Sequence, residues 1–398
     1  MEKTYYEKLE EYKEEDYFCK CTIVINYVNN AFLTRFGKRK YIVTSVELNE
    51  MDNDFKASLN ELNGAEVDVK NQSRELRKPV VDLSESIKDL VDRCNTEVLK
   101  ARHKKGWQIF YVYKELLQTL TGKDLKFNYF RGQSCDKPLL PGIMRLGVDK
   151  DYIYHFDSIY KKLAYEFPDK LNYISMDKYN IDERESNLSL LQHYGLKTAL
   201  LDITRNPYIA MLFMLEENIK ENDNPTLYLF RIDDYSFDKE HPNLFTEVKK
   251  SQINERIMAQ KGAFLNFEKA LISDVKLEKI PYVKIVLNYD IDEYNRLLDL
   301  EIKSMQKLSG YEVGGEDNLF TFLLKNEKSG IDNSKKLIKK YINNELDIKL
   351  KEIFYTKEDM FPDFENRIRY LSNMYKKTEE KVFSFSPIKT EDNDKTDN

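Results

Sequence analysis

Two short apolar runs that carry polar residues at alternate positions constrain the fold of this chain more than any other feature. The first run, residues 129–133, has the composition of a strand, and its longer polar side chains fall on one side because side chains alternate along a strand. Those side chains belong to Tyr129, Arg131 and Gln133. A packed core does not need an arginine there, so we expect Arg131 to face a ligand, with Gly132 allowing a close approach.

The second run, residues 196–203, is also strand-like and leads into a predicted helix. Asn206 and Pro207 predict the helix start, because Asn is a favourable N-cap residue and Pro is favoured in the first turn. Residues 207–218 are almost all apolar, which predicts a helix buried on all sides. Asp202, between the strand and the helix, could be an active residue, or its carboxylate could bind the amides of the turn that follows.

Composition excludes several classes of protein. The chain has 398 residues, of which 41% are hydrophobic, so it can bury two or three cores, and its net charge of −6 gives no bulk attraction to nucleic acid or to an anionic membrane. Its four cysteines are too few for a disulfide framework, and Cys19-x-Cys21 lacks the second pair that zinc requires. The longest apolar run, Tyr208–Leu215, is too short to span a membrane. We therefore expect a cytoplasmic protein without a metal site.

Several motifs resemble those of the FRG domain family, named for the Phe-Arg-Gly that stands here at 130–132. The other matching stretches are 138–145, 191–207 with Ala210, Gln260-x-Gly262-x-Phe264 and 360–364. The family's usual Thr-Arg-Leu-Leu-Asp-Trp is Thr-Ala-Leu-Leu-Asp-Ile in this chain, at 198–203. The resemblance covers residues 125–270 and returns weakly at 345–373. It implies an effector or sensor of bacterial antiviral defence that acts in abortive infection, with a phage-derived trigger.

The predicted helices and strands make this an α+β protein, and the resemblance implies a mixed or split central sheet with flanking helices in the FRG-like domain. Strands are predicted at 19–25, 41–48, 227–232 and 282–287, and helices at 73–101, 107–120, 152–172, 186–194, 291–310 and 332–355. We expect four regions: an N-terminal β-containing and helical region at 1–121, an FRG-like domain at 122–290, a helical extension completing that domain at 291–373, and a disordered tail at 374–398.

The order of polar residues also resembles that of ADP-ribosyltransferases that use NAD. In those enzymes a first-strand arginine holds the NAD phosphates, and a late glutamate binds the ribose hydroxyls. We expect four side chains to converge on one pocket as catalytic residues: Arg131, His193, Asp202 and Gln260. The residues expected to bind the ligand beside them are Tyr129, Gln133, Tyr194, Thr198 and Asn206. Because glutamine is neutral, Asp202 or Glu255 would have to stabilise a developing positive charge.

Three functions stay open on this sequence. The first is a nucleotide-handling, NAD-dependent enzyme of the ADP-ribosyltransferase type. The second is a metal-independent RNase-type effector that uses Arg131 and His193. The third is a non-catalytic sensor module that binds phage RNA or protein. Each candidate residue also has a structural alternative: Arg131 in a salt bridge, His193 donating to a backbone carbonyl, and Gln260 in a bulge.

Overall fold

A mixed eight-stranded sheet forms the centre of the computed structural model. The structure describes residues 9, 12–29, 41–60, 82–100, 108–215, 224–233, 242–247, 259–309, 319–360, 368 and 372. The strands are β1 Phe18–Asn29, β2 Tyr41–Met51, β3 Tyr129–Gln133, β4 Leu200–Thr204, β5 Thr226–Phe230, β6 Phe245–Thr246, β7 Gly262–Asn266 and β8 Ile280–Tyr289. Their order across the sheet is β2-β1-β8-β5-β3-β4-β7-β6. The predicted α+β class with a mixed sheet is confirmed.

Helices pack against the sheet in two apolar clusters. They are Glu14–Tyr17, 53–60, Leu83–Arg93 with its π-helical continuation Cys94–Val98, Gln108–Leu120, the 3₁₀ turn Gly142–Met144, Lys150–Glu166, Ile181–His193, Pro207–Met214, Lys269–Ile272, Ile291–Ser309, Leu319–Glu352 and Lys357–Met360. One cluster contains the helices at 83, 108, 207 and 319, and the other contains those at 150 and 181. None of the helices in the described ranges has the length and apolar character that crossing a membrane requires.

The first two strands, β1 and β2, belong to the same sheet as the six later strands. β1 and β2 form an antiparallel pair, which confirms both predicted strands. β1 also pairs in parallel with β8 at ten successive positions, from Phe18 with Ile280 to Tyr27 with Tyr289. The predicted division near residue 121 therefore falls between elements that share one sheet.

The sheet splits between β3 and β4. β3 pairs with β5 at five positions, and β4 pairs with β7 at five positions. Between β3 and β4 there is one pair, Phe130 with Thr204. Beyond that pair the strands diverge, so the polar groups of both strands line a gap instead of a continuous ladder.

The Pro207 helix (Pro207–Met214) crosses β3 at Gly132. A Cβ added at Gly132 would lie 1.8 Å from the carbonyl oxygen of Ala210, so a side chain has no room there. We expected this glycine to allow a ligand to approach; the close approach that it allows is instead that of the helix backbone. Gly132 also lines the gap, but its missing side chain serves packing.

The Pro207 helix begins as predicted. The Asn206 side chain accepts a hydrogen bond from the Tyr208 amide, and Pro207 occupies the first turn. The helix ends at Met214; residues 216–218 of the predicted helix lie outside the described ranges. The prediction that it is buried on all sides is wrong at Phe213, which is 38% exposed and faces the gap.

Other boundaries moved for local reasons. The helix predicted at 152–172 spans Lys150–Glu166 and stops before Pro168, because the residue preceding a proline disfavours helical backbone. The helix predicted at 186–194 begins five residues earlier, at Ile181. The C-terminal helix begins at Leu319 instead of 332. The predicted tail at 374–398 lies outside the described residues.

Candidate functional site

A cavity of about 580 Å³ opens where β3 and β4 diverge. Its walls are β3, the segment 134–146, the helix Ile181–His193, β4, the start of β7, and Phe213. All four residues expected to be catalytic line it: Arg131, His193, Asp202 and Gln260. Gln133 lines it too. The fold therefore brings together side chains that are about 130 residues apart in the sequence.

Arg131 is a cation without an ion-pair partner in the described part of the chain. One terminal nitrogen, Nη1, donates to the backbone carbonyl of Asp202 at 2.6 Å. Its Nε is buried and has no acceptor. Burial lowers the pKa of the Arg131 guanidinium to about 10, which leaves it charged at neutral pH. Arg131 therefore forms no salt bridge with any described residue, which is the structural alternative considered for it. Its guanidinium keeps N–H donors for a ligand.

Asp202 is held by an oriented amide. The Gln192 Nε2 donates to Asp202 Oδ1 at 2.8 Å, and the Thr198 hydroxyl donates to Gln192 Oε1. Because the amide oxygen is occupied by a hydroxyl donor, the NH₂ group must point at the carboxylate. Asp202 does not cap the turn after its strand: the amide of Asn206 donates to the Thr204 hydroxyl instead, at 3.1 Å. The carboxylate is exposed and keeps Oδ2 for other contacts.

The helix Ile181–His193 supplies a polar wall with two unsatisfied atoms. His193 Nδ1 and Ser189 Oγ are buried, and neither has a hydrogen-bond partner among the described residues. The imidazole packs edge-on against Tyr194, with ring centroids 5.2 Å apart. The backbone-carbonyl bond proposed as the structural alternative for His193 is therefore not formed by Nδ1. Ser189 was missed, although residues 189, 192 and 193 have the spacing of one helical face.

Two further cations line the cavity, and neither is among the site residues expected from the sequence, although Arg145 ends the matching stretch 138–145. Arg145 donates from Nε to the Leu140 carbonyl at 3.1 Å, and its charge contributes to lowering the pKa of Arg131, so the two guanidinium groups are near each other. Lys137 is exposed at the cavity as well. Three cationic side chains thus line a cavity in which Asp202 is the one carboxylate among the described lining residues. The cavity favours anions although the whole chain is acidic.

Gln260 connects the cavity to the C-terminal segment. Its side-chain Nε2 donates to the backbone carbonyl of Met360 at 3.0 Å, and its backbone carbonyl accepts from the Thr204 hydroxyl at 2.6 Å. Half of the amide is therefore already committed to a contact within the protein. Glu255, the second candidate for stabilising a positive charge, lies outside the described residues.

Four residues expected to bind ligand do not line the cavity. Tyr129 is buried against Phe245, and its hydroxyl accepts from Arg205 Nε at 2.7 Å. Asn206 caps the Pro207 helix and donates to the Tyr355 hydroxyl at 2.9 Å. Thr198 is fully buried and orients Gln192, and Tyr194 is 71% exposed outside the cavity. The hydrogen bonds of the first three serve the fold and the side chains that face the cavity.

The described ranges contain no cluster of metal-binding side chains. No group of three or more His, Cys, Asp and Glu side chains there could hold a metal ion. The four cysteines, Cys19, Cys21, Cys94 and Cys135, are free and buried. Burial raises the pKa of Cys19 to about 11 and that of Cys21 to about 12, so these thiols are unreactive at neutral pH.

Comparison with known proteins identifies one family. Residues 126–223 match the model of the FRG domain family. No curated protein and no solved structure matches the chain. The matched segment covers about a quarter of the sequence and includes β3, β4, the Pro207 helix and most of the cavity wall. The chain therefore contains an FRG domain, and the cavity between β3 and β4 is largely built from it.

Proposed function

We propose that the cavity binds a nucleotide through its phosphates, and that the protein is a nucleotide-handling enzyme that uses NAD in the manner of an ADP-ribosyltransferase. The observation that carries the proposal is Arg131, a half-buried cation with an unpaired Nε and no ion-pair partner in the described chain. A guanidinium in that state is stabilised by an anion with several acceptor oxygens, and phosphate has this geometry.

The surrounding charges support a ligand with more than one negative charge. Arg145 and Lys137 line the same cavity as Arg131. Three cations that repel one another gain most from a ligand that bridges them, and a pyrophosphate does so. Phe213 and Leu146 add exposed apolar surface to the cavity wall, against which a base or nicotinamide ring could pack.

Asp202 is suited to the chemical step. When the bond between the nicotinamide nitrogen and the ribose carbon breaks, its electron pair leaves with nicotinamide, and positive charge develops on the ribose. A carboxylate held in a fixed orientation stabilises that charge, and the Gln192 amide orients Asp202. A water molecule or an acceptor nucleophile then bonds to the ribose carbon and loses its proton. Gln260 is neutral, so it contributes hydrogen bonds to this step and no charge.

A second candidate function has an observation of its own. His193 Nδ1 has no partner among the described residues, and the cavity around it is lined by cations. Metal-independent RNA cleavage uses an imidazole and cationic side chains of this kind. In that reaction an imidazole takes the proton of a ribose 2′-hydroxyl, which attacks the adjacent phosphate while the cations stabilise the added negative charge. A site that binds phage RNA or protein without turnover is the remaining alternative.

The deciding experiment incubates the purified protein separately with labelled NAD and with RNA, and measures the products by mass spectrometry. We expect release of nicotinamide. Arg131→Ala should abolish nicotinamide release with little change in melting temperature, because this arginine contributes more to ligand binding than to the stability of the fold. Arg296→Ala is the matched control, since Arg296 is an exposed arginine paired with Glu293 at 2.5 Å. RNA fragments without NAD loss would favour the RNase function, and binding without products would favour the sensor module.

The cellular role follows from the resemblance to FRG proteins. We propose that the enzyme is an effector of antiviral defence that is activated by a phage component and stops growth of the infected cell. Expression of the wild-type chain should lower phage plaque counts in a bacterial host, and Arg131→Ala should remove that protection. Equal protection by the variant would separate the cellular role from this cavity.

A further inference from the structure

Ser189 behaves differently from its neighbour on the same helix. Ser186 is exposed, and its hydroxyl donates to the carbonyl four residues earlier, Asp182, at 3.2 Å, as helical serines commonly do. Ser189 is 7% exposed, yet its hydroxyl makes no such bond and has no partner in the described part of the chain. A buried hydroxyl without a partner is unfavourable, and because Ser189 lines the cavity a bound ligand can supply the missing hydrogen bond.

His193 repeats the same situation one turn along the helix. It lies four residues after Ser189, on the same face, and both residues line the cavity. Its Nδ1 is also buried without a partner. Two unsatisfied polar atoms on one helical face, both at a cavity that already carries cations, indicate a built recognition surface.

We propose that Ser189 and His193 bind the ribose hydroxyls of the nucleotide, so that the ligand class is a ribonucleotide and not a bare polyphosphate. This inference rests on the proposed function and extends it. The hydroxyl of Ser189 can donate and accept, and the ring nitrogen of His193 can do either according to its tautomer. Ribose hydroxyls have the same dual character. Phosphate oxygens need donors, and Arg131, Arg145 and Lys137 supply these.

Because one set of residues would bind ribose and another phosphate, substitutions should affect ligands selectively. Removing the Ser189 hydroxyl should weaken the binding only of ligands that carry ribose. It should not destabilise the protein, because the hydroxyl bonds to nothing within the described fold. Ser189→Ala should therefore leave the melting temperature unchanged or raise it, whereas the loss of a structural serine would lower it.

The experiment measures binding of NAD and of pyrophosphate by calorimetry to the full-length protein. For Ser189→Ala we expect NAD affinity to fall 5- to 10-fold and pyrophosphate affinity to stay within 2-fold of wild type. Ser186→Ala is the matched control and should change neither affinity. His193→Phe, which keeps the ring contact with Tyr194, should also weaken NAD selectively. If Ser189→Ala weakens both probes equally, or neither, the inference is overturned. If the wild-type protein binds neither probe, the proposed function itself fails.

Discussion

Substitution of Gly132 by alanine tests the contact between the Pro207 helix and β3 on which the cavity depends. The new Cβ would lie 1.8 Å from the Ala210 oxygen, 2.8 Å from the Ala210 carbonyl carbon and 2.9 Å from the Met214 nitrogen. All three are backbone atoms, so no side-chain rotation relieves the overlap. Ordinary contact begins at 3.4 Å, and 3.4 minus 1.8 gives a required separation of 1.6 Å.

The energetic cost follows from what that separation loosens. The helix buries five side chains: Ile209, Ala210, Met211, Leu212 and Met214. A gap of this size forfeits much of their dispersion energy, and overpacking alone costs about 1–3 kcal/mol, so we expect a loss of at least about 3 kcal/mol. At about 2.1 cal/mol/K per residue, unfolding has an entropy of about 0.8 kcal/mol/K, so the melting temperature should fall by about 4 °C or more.

Thermal melting followed by circular dichroism measures this effect. Gly142→Ala is the control, because the nearest atom to its added Cβ is 3.5 Å away, and it should melt within about 1 °C of wild type. Adding Ala210→Gly to Gly132→Ala should not restore stability, because the atom that is met belongs to the backbone. A Gly132→Ala protein that melts like wild type would refute the close crossing of helix and strand.

Three further predictions concern other parts of the fold and site. Leu212→Ala should lower the free energy of unfolding by about 2–5 kcal/mol in urea titrations, since Leu212 is 4% exposed; Phe213→Ala, at a partly exposed position, should cost less. Thr198→Val should release the Gln192 amide and lower kcat for NAD about 3- to 10-fold with KM nearly unchanged, the equivalent of roughly one hydrogen bond; a change confined to KM would contradict that role. Burial raises the pKa of Glu185 to about 7, so between its unfolded pKa and that value the folded state retains a proton that the unfolded state has lost. Stability should therefore fall as pH rises from about 5 to about 8, and Glu185→Gln should flatten this slope.

Local chemistry explains what the sequence predicted correctly. Alternation along 129–133 identified β3, and the cap formed by Asn206 and Pro207 placed the helix start within one residue. Both signals act between residues that are neighbours in the chain. The convergence of Arg131 and Asp202 on one cavity was predicted because each interrupts an apolar run without a structural need.

Long-range partners explain what the sequence could not predict. Tyr129 contacts Arg205, which follows it by 76 residues in the sequence. Its own strand pattern therefore could not show whether its hydroxyl meets a ligand or this arginine. The same holds for Asn206, whose amide meets Tyr355 across 149 residues. Arg145 ends the matching stretch 138–145, but that segment is irregular, so no periodicity indicated which way its side chain points. Ser189 had a usable signal in its helical spacing to Gln192 and His193, two polar residues of the matching motif.

The parallel pairing of β1 with β8 determines when this protein can fold during its synthesis. One edge of β1 pairs with β2 soon after both leave the ribosome, but the other waits for residues 280–289. At roughly 5–20 residues per second, that delay is roughly 10–50 seconds. Throughout it, β1 exposes unpaired backbone groups of a largely apolar strand, which is a template for association with other chains. The nascent chain is therefore expected to depend on chaperones that shield this edge, and its yield should fall when synthesis outpaces them.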